Sequence, residues 1–206
     1  MPLIAAALFL CLAGANPDPD ALRRFLDDFQ RVQTLEARFE QQAETAAGLE
    51  SATGMIWLRR PDRLKWEYRE PERKVFFLRK NRYQFYLPAE NQLVVQDLEP
   101  AELDETPLVF ILGGRKGLQD YYSSRLIESR DGRWRYLLTA RKAGVPFPKV
   151  VLTLSGDPLF IEEMVLHEDS GSVYTYRFRE VRFNPRLPGD LFDFRPPPGV
   201  EIVRME

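Results

Sequence analysis

The chain has 206 residues, 44% hydrophobic and 12% aromatic, with 29 basic against 31 acidic side chains and a net charge of -2. That is enough apolar material for the core of one ordinary domain, while a pI near 5.7 argues against a nucleic-acid binder, which concentrates basic charge to displace counterions. Cys11 is the single cysteine and His167 the single histidine, so neither an intrachain disulfide nor a two-histidine metal site is available.

The chain opens on an apolar run from Leu3 to Leu12, too short to cross a bilayer as a helix, followed by Ala13, Gly14 and Ala15. This is the pattern of a signal peptide over residues 1–15, leaving a single domain over 16–206, although no Lys or Arg precedes the apolar run. Lipid attachment at Cys11 is disfavoured because Leu10 stands where that signal takes a small residue.

Next, Leu22, Phe25, Leu26, Phe29 and Val32 recur at helical spacing, with Asp18 as the expected cap and Pro19 in the first turn. From Leu35 the period changes to two. Leu35, Ala37 and Phe39 share one face of a strand, and "GMIWLRR" is a second. In "RRPDRLKWEY", Leu64, Trp66 and Tyr68 fall on one face, and Arg63, Lys65 and Glu67 on the other, where they are expected to meet water. Strands at "KVFFLRKN", "RYQFYLP" and "QLVVQDL" complete an antiparallel meander.

"DETPLVFILGGRKG" then interrupts the strands with a short helix capped at Thr106 and stopped at Gly113 and Gly114. Being apolar nearly all round, it must be covered on more than one side. "GLQDYYSSRLI" is expected to add a third short helix. Strands resume at "RWRYLLTAR", "KVVLTLSGD", "FIEEMVLHED", "SVYTYRFREVRF" and "LFDFRPPPGVEIV". Tyr174, Tyr176 and Phe178 share a parity that Val181 and Phe183 break, which predicts a bulge near Arg179 and Glu180. The period alone leaves two architectures open: a filled sandwich, which it favours, and a curved sheet whose helices roof an apolar cavity.

Catalytic signatures are scarce. "GGRKG" lacks the spacing of a phosphate loop, no G-x-S-x-G elbow occurs, and Glu162 and Glu163 fall on alternate strand faces. No enzyme activity, catalytic residue or cofactor is expected.

Two stretches carry a resemblance. "GMIWLRRPDRLKWEYREP" and "NPRLPGDLFDFRPPPGVEIV", with the "TPLVFILGG" segment between them, resemble the LolA family of periplasmic carriers that ferry lipoproteins between the two membranes of Gram-negative bacteria. The resemblance implies a mainly β fold: a curved, open antiparallel half-barrel of about ten strands, closed by two or three short helices over a hydrophobic cavity. It implies a monomeric carrier in the periplasm whose partners are acylated lipoproteins, an inner-membrane ABC-type releasing complex and an outer-membrane acceptor of the LolB type. On that basis Leu64, Trp66, Tyr68, Trp57, Phe39 and Phe110 are expected to line the acyl-chain cavity. Arg60 corresponds to the family's lid arginine, expected to reach lid-helix carbonyls around Phe110 to Leu112, with Leu112 as the other side of the latch. A LolB-like acceptor, a lipid or glycolipid carrier, and an envelope sensor on the same fold are the alternatives.

Overall fold

The computed structural model describes residues 20–97, 118 and 120–205. The expected signal peptide with Cys11, and the "TPLVFILGG" helix with Phe110 and Leu112, lie outside the described residues.

The first element is helix α1, Ala21–Phe29, with Asp20 at the N-cap position in place of the expected Asp18. The strands that follow are β1 (Thr34–Thr45), β2 (Gly48–Arg59), β3 (Arg63–Glu70), β4 (Lys74–Arg79), β5 (Arg82–Leu87) and β6 (Gln92–Asp97). The second half supplies β7 (Tyr122–Arg130), β8 (Arg133–Ala140), β9 (Lys149–Ser155), β10 (Phe160–His167), β11 (Val173–Phe183) and β12 (Glu201–Met205). Among the described residues these twelve strands form one sheet in the order β12-β6-β5-β4-β3-β2-β1-β11-β10-β9-β8-β7, which is open, with β12 and β7 as its edges.

The long hairpin β1–β2 sits in the middle of this order and joins the two halves. Every neighbouring pair is antiparallel except the last, where β12 runs parallel to β6. Two sequence expectations are corrected here. The third helix expected over "GLQDYYSSRLI" is helical at Leu118, Asp120 and Tyr121 among the described residues and gives way to a strand from Tyr122 onward, where pairing along β8 gives the backbone groups partners. "LFDFRPPPGVEIV" is a strand only over Glu201–Met205, since Pro196, Pro197 and Pro198 have no N–H to donate to a ladder.

The period-two pattern places Leu35, Ala37 and Phe39 beside Ile56 and Leu58, and these beside Leu64 and Trp66, on the face against which α1 packs. This is termed the inner face. On β11 it continues through Tyr176 and Phe178, and then two residues, Glu180 and Val181, oppose the single residue Ala37. Glu180 adopts φ 51°, so the predicted bulge is present. Its effect is to return Val181 and Phe183 to the inner face, where they join the core. Helix α1 covers the second half of that face: Phe25 and Phe29 meet the Phe160 ring at 6.1 and 5.6 Å, and the Leu22 amide donates to the Tyr136 hydroxyl at 3.2 Å.

The outer face has a smaller core. Val75, Phe77, Tyr86 and Leu93 are buried there beneath the segment between β11 and β12, with Phe194 4.9 Å from both the Phe77 and the Tyr86 rings. Arg59 donates to the Leu187 and Pro188 carbonyls, and Arg79 pairs with Asp193, fastening that segment across the sheet. This strap corrects the expectation that Arg63, Lys65 and Glu67 meet water. Glu67 is only 8% exposed, and Lys65 lies over the Trp57 and Phe77 rings.

Candidate functional site

The inner face of the first half is built on β3. Alternation sends Leu64, Trp66 and Tyr68 to it, while Phe39 arrives from two strands away across Gly54. A Cβ on Gly54 would lie 2.6 Å from the Phe39 ring and closer still to the Glu67 carbonyl, so the glycine is what lets Phe39 lie flat over the ladder. Phe39 then meets Trp66 at 4.9 Å and Tyr68 at 5.0 Å, and Trp66 meets Tyr176 at 5.5 Å. The aromatic wall extends outward through Phe76, stacked on Phe85 at 4.1 Å.

Where the packed core ends, the inner face opens into a cleft of about 820 Å³. Its floor is Tyr68, Phe76, Phe85, Tyr174, Ala43 and Ala52; exposed Glu50, Glu70 and Glu72 stand at the rim, with Lys74 paired to Glu72 at 3.0 Å. A volume of this size lies within the range of small-ligand sites, which are mostly apolar with a few placed polar groups.

The structure divides the residues expected at the cavity. Tyr68 lines the cleft. Phe39 and Trp66 form the aromatic layer behind it, and Leu64, 1% exposed, is enclosed within the core. Trp57 stands on the opposite face, in register with Glu36 and Lys65, and its indole N–H donates to Glu36 at 2.9 Å. Trp57 alternates with Ile56 and Leu58, so a single step along β2 decides the face. The site also recruits Phe76, Phe85, Tyr174 and Tyr176; their alternation was visible, but which strand would neighbour β3 was not.

Burial alters the chemistry of the tyrosines. It pushes the Tyr68 pKa up to about 12, and it raises those of Tyr83 and Tyr176 as well. At neutral pH the Tyr68 hydroxyl that lines the cleft is therefore a neutral phenol.

Arg60 closes the other end of the assembly. Its Nε donates to the Val32 carbonyl at 3.0 Å and its Nη2 to the Phe29 carbonyl at 3.2 Å, with the guanidinium 5.1 Å from the Phe29 ring centre. Those carbonyls lie at and just beyond the C-terminal end of α1, where helix carbonyls lack partners. Partial burial lowers the pKa of the guanidinium. Within the described residues, then, the arginine fork joins the sheet to α1; the expected partners from Phe110 to Leu112 lie outside them. No group of three or more His, Cys, Asp or Glu able to hold a metal occurs among the described residues.

Comparisons with known proteins bear on this arrangement. Residues 30–195 match the family model described as outer membrane lipoprotein carrier protein LolA. An outer-membrane lipoprotein carrier protein from Alkalilimnicola ehrlichii is 29% identical over 88% of this chain and 81% of its own. Another from Nitrosomonas europaea is 25% identical over 98% of both. Among solved structures, an uncharacterized conserved protein from Thermus thermophilus superposes with a TM-score of 0.60 at 16% identity, covering 90% of this chain and 98% of that one. A chain of the MucA/MucB complex from Pseudomonas aeruginosa superposes at 0.52 with 18% identity, over 85% of this chain and 60% of its own. These superpositions show a shared fold.

Proposed function

This chain belongs to the LolA family of outer-membrane lipoprotein carriers, and from that premise we propose that it is a periplasmic chaperone that takes the acyl chains of lipoproteins into its inner-face cleft. The observation that carries the reading is the aromatic-floored cleft of about 820 Å³ opening off the core. Each methylene left in water costs about 0.8 kcal/mol, so a lipoprotein does not leave a bilayer unaided, and an apolar recess removes that cost for the length of chain it accepts.

The same premise extends to export and partners. Residues 1–15 act as the signal peptide, so the working protein begins near Asn16 and lacks Cys11. Its partners on this reading are an inner-membrane ABC-type complex, which supplies any ATP-driven step because this chain carries no nucleotide-binding motif, and an outer-membrane acceptor where one is present. Arg60 acts as a latch at the C-terminal end of α1, its charge-assisted bonds adding to the apolar packing that holds the helix on the sheet. The deciding experiment adds the purified mature protein to spheroplasts. Lipoproteins recovered from the soluble fraction in complex with the protein support the carrier; a soluble fraction without them, under conditions where an established carrier releases them, overturns it.

A further inference from the structure

Strand β2 is longer than its neighbour β3. It begins at Gly48, whereas β3 ends at Glu70 opposite Thr53, so residues 48–52 overhang the end of β3. On their other side the same residues stay paired with β1, from Ala52 opposite Gln41 to Gly48 opposite Thr45. In an antiparallel pair a residue turns its N–H and C=O to the same side, and successive residues alternate sides. One step past β2 the Arg60 amide donates to the Gln33 carbonyl at 2.8 Å, which sets that alternation: even-numbered residues of β2 bond to β1 and odd-numbered ones face away. Leu49 and Ser51 therefore direct both backbone groups into the gap beside β2, where no strand stands opposite them among the described residues. Both are exposed, Leu49 by 65%.

The gap opens into the cleft. Glu50, Ser51 and Ala52 line the cleft from one side, and Glu70, Pro71 and Glu72 from the other. Pro71 has no N–H with which to extend the ladder. An open ladder edge beside an apolar recess fits one chemistry, because a polypeptide main chain supplies donors and acceptors at strand spacing and a lipid headgroup does not. Side chains alternate across an added strand, so one turned to the inner face beside Glu50 and Ala52 enters the cleft, whose floor holds Tyr68 and Phe76. With Glu50, Glu70 and Glu72 set against Lys74, the lining is net acidic; it complements a neutral or basic segment and opposes an acidic one.

The geometry points to a strand-addition subsite in which a short extended peptide pairs with Leu49 and Ser51 of β2 while the acyl group attached to it fills the cleft. This deepens the acyl-carrier reading and rests on it: the ligand is an acylated polypeptide, held by the main chain next to its acyl group, and not a free lipid. The overhang has room for about three residues of the added strand. Recognition of this kind tolerates most sequences, since the paired groups belong to every residue except proline.

The test uses the full mature protein and two matched probes, an N-dodecanoyl tetrapeptide amide of serine, lysine and threonine and the same molecule with its peptide nitrogens methylated, each displacing a fluorescent naphthylamine. The wild type is expected to bind the unmethylated probe about tenfold more tightly, the discrimination that one or two neutral hydrogen bonds supply. Ser51→Pro removes a donor that the β1 ladder does not use, and is expected to bring the ratio close to one while leaving the affinity for the methylated probe unchanged. Amide exchange at Leu49 and Ser51 in the wild type, expected to slow about tenfold when the unmethylated probe is bound, supplies a second measurement that does not depend on how the variant folds. Equal affinities in the wild type with unprotected amides, or a ratio unchanged in folded Ser51→Pro, overturn the subsite alone. Protection of the same amides that follows protein concentration and not probe assigns the edge to a second copy of the chain, and overturns it too. Failure of the wild type to bind either probe overturns the acyl-carrier reading and the subsite with it.

Discussion

Arg60 joins the end of β2 to the C-terminal end of α1 through two hydrogen bonds to backbone carbonyls. Each of its two bonds to carbonyls at and just beyond the end of α1 involves a charged donor, a class that contributes about 1.5–3 kcal/mol, less where solvent competes. Arg60→Leu is expected to leave the unfolding midpoint nearly unchanged but to raise amide hydrogen exchange across Arg24–Phe29 about tenfold or more, and to slow cargo hand-over to acceptor membranes. Exchange and transfer at wild-type rates would refute the latch. Arg60→Lys should not rescue it, because an ammonium keeps the charge and loses the fork that spans both carbonyls. Tyr68 makes a separate prediction about pH. Its folded pKa, raised from 10.0 to about 12, means the folded state resists ionisation; the associated stability is intact below pH 10 and lost as pH climbs toward 12. Denaturant melts should show that alkaline loss in the wild type and a shallower one in Tyr68→Phe. Glu67 behaves in the opposite sense. Burial is the largest single influence and raises its pKa, but Arg73 at 2.9 Å and Lys65 at 3.3 Å together outweigh it and hold the net value low. The stabilisation is therefore present above the ordinary carboxylate range and lost on acidification below about pH 4.5. Glu67→Gln should cost about 1–3 kcal/mol near neutrality and flatten the acid limb of the stability profile.

Among the elements, the central hairpin β1–β2 depends on one small residue. Gly54 has an ordinary extended backbone, so its requirement is steric and not conformational: the Phe39 ring and the Glu67 carbonyl occupy the space of a side chain. Gly54→Ala is expected to destabilise by about 1–3 kcal/mol through overpacking and to displace Phe39 from Trp66, which near-ultraviolet dichroism would register. An alanine variant with wild-type stability and spectrum would mean that the hairpin yields more readily than its packing indicates. The junction of β1 and β11 depends on Asn184, whose φ is 54° and whose Oδ1 accepts from the Gln33 amide at 2.8 Å. An asparagine is suited to this place because it tolerates the left-handed region and caps the incoming strand with its side chain.

For the molecule as a whole, the two faces of the sheet are covered in different ways. The strap carrying Phe194 covers Val75, Phe77, Tyr86 and Leu93 on the outer face, while the cleft opens on the inner one. Phe194→Ala should lower stability by about 1–3 kcal/mol, less than a fully buried phenylalanine because Phe194 remains partly exposed, and leave acyl-probe affinity unchanged. A large loss of probe binding in the folded variant would show that the two faces are coupled. The strap also explains why β12 is parallel: the chain crosses the outer face from the β1–β11 junction and reaches the β6 edge running in the β6 direction.

The α1 stripe, the period-two strands, the face shared by Leu64, Trp66 and Tyr68, and the bulge that restores Val181 and Phe183 to it are legible in the amino-acid pattern. Each of these is fixed by local alternation, which a chain carries whatever its neighbours are. Family membership was also legible, because it rests on motifs spread along the chain. Tertiary structure decided what alternation leaves open. Nothing in "GMIWLRR" says that Trp57 lies on the outer face, against Glu36 and Lys65, while Ile56 and Leu58 face the core, since an apolar residue suits either side once both are covered. Nothing in "GLQDYYSSRLI" says that a short run with helical spacing will be drawn into an edge strand by a waiting partner. The cleft itself, and the convergence of Trp66, Tyr68 and Tyr176 behind it, arise from strands distant in sequence becoming neighbours through the β1–β11 pairing. Strand order is a property of the whole sheet, and no local pattern encodes it.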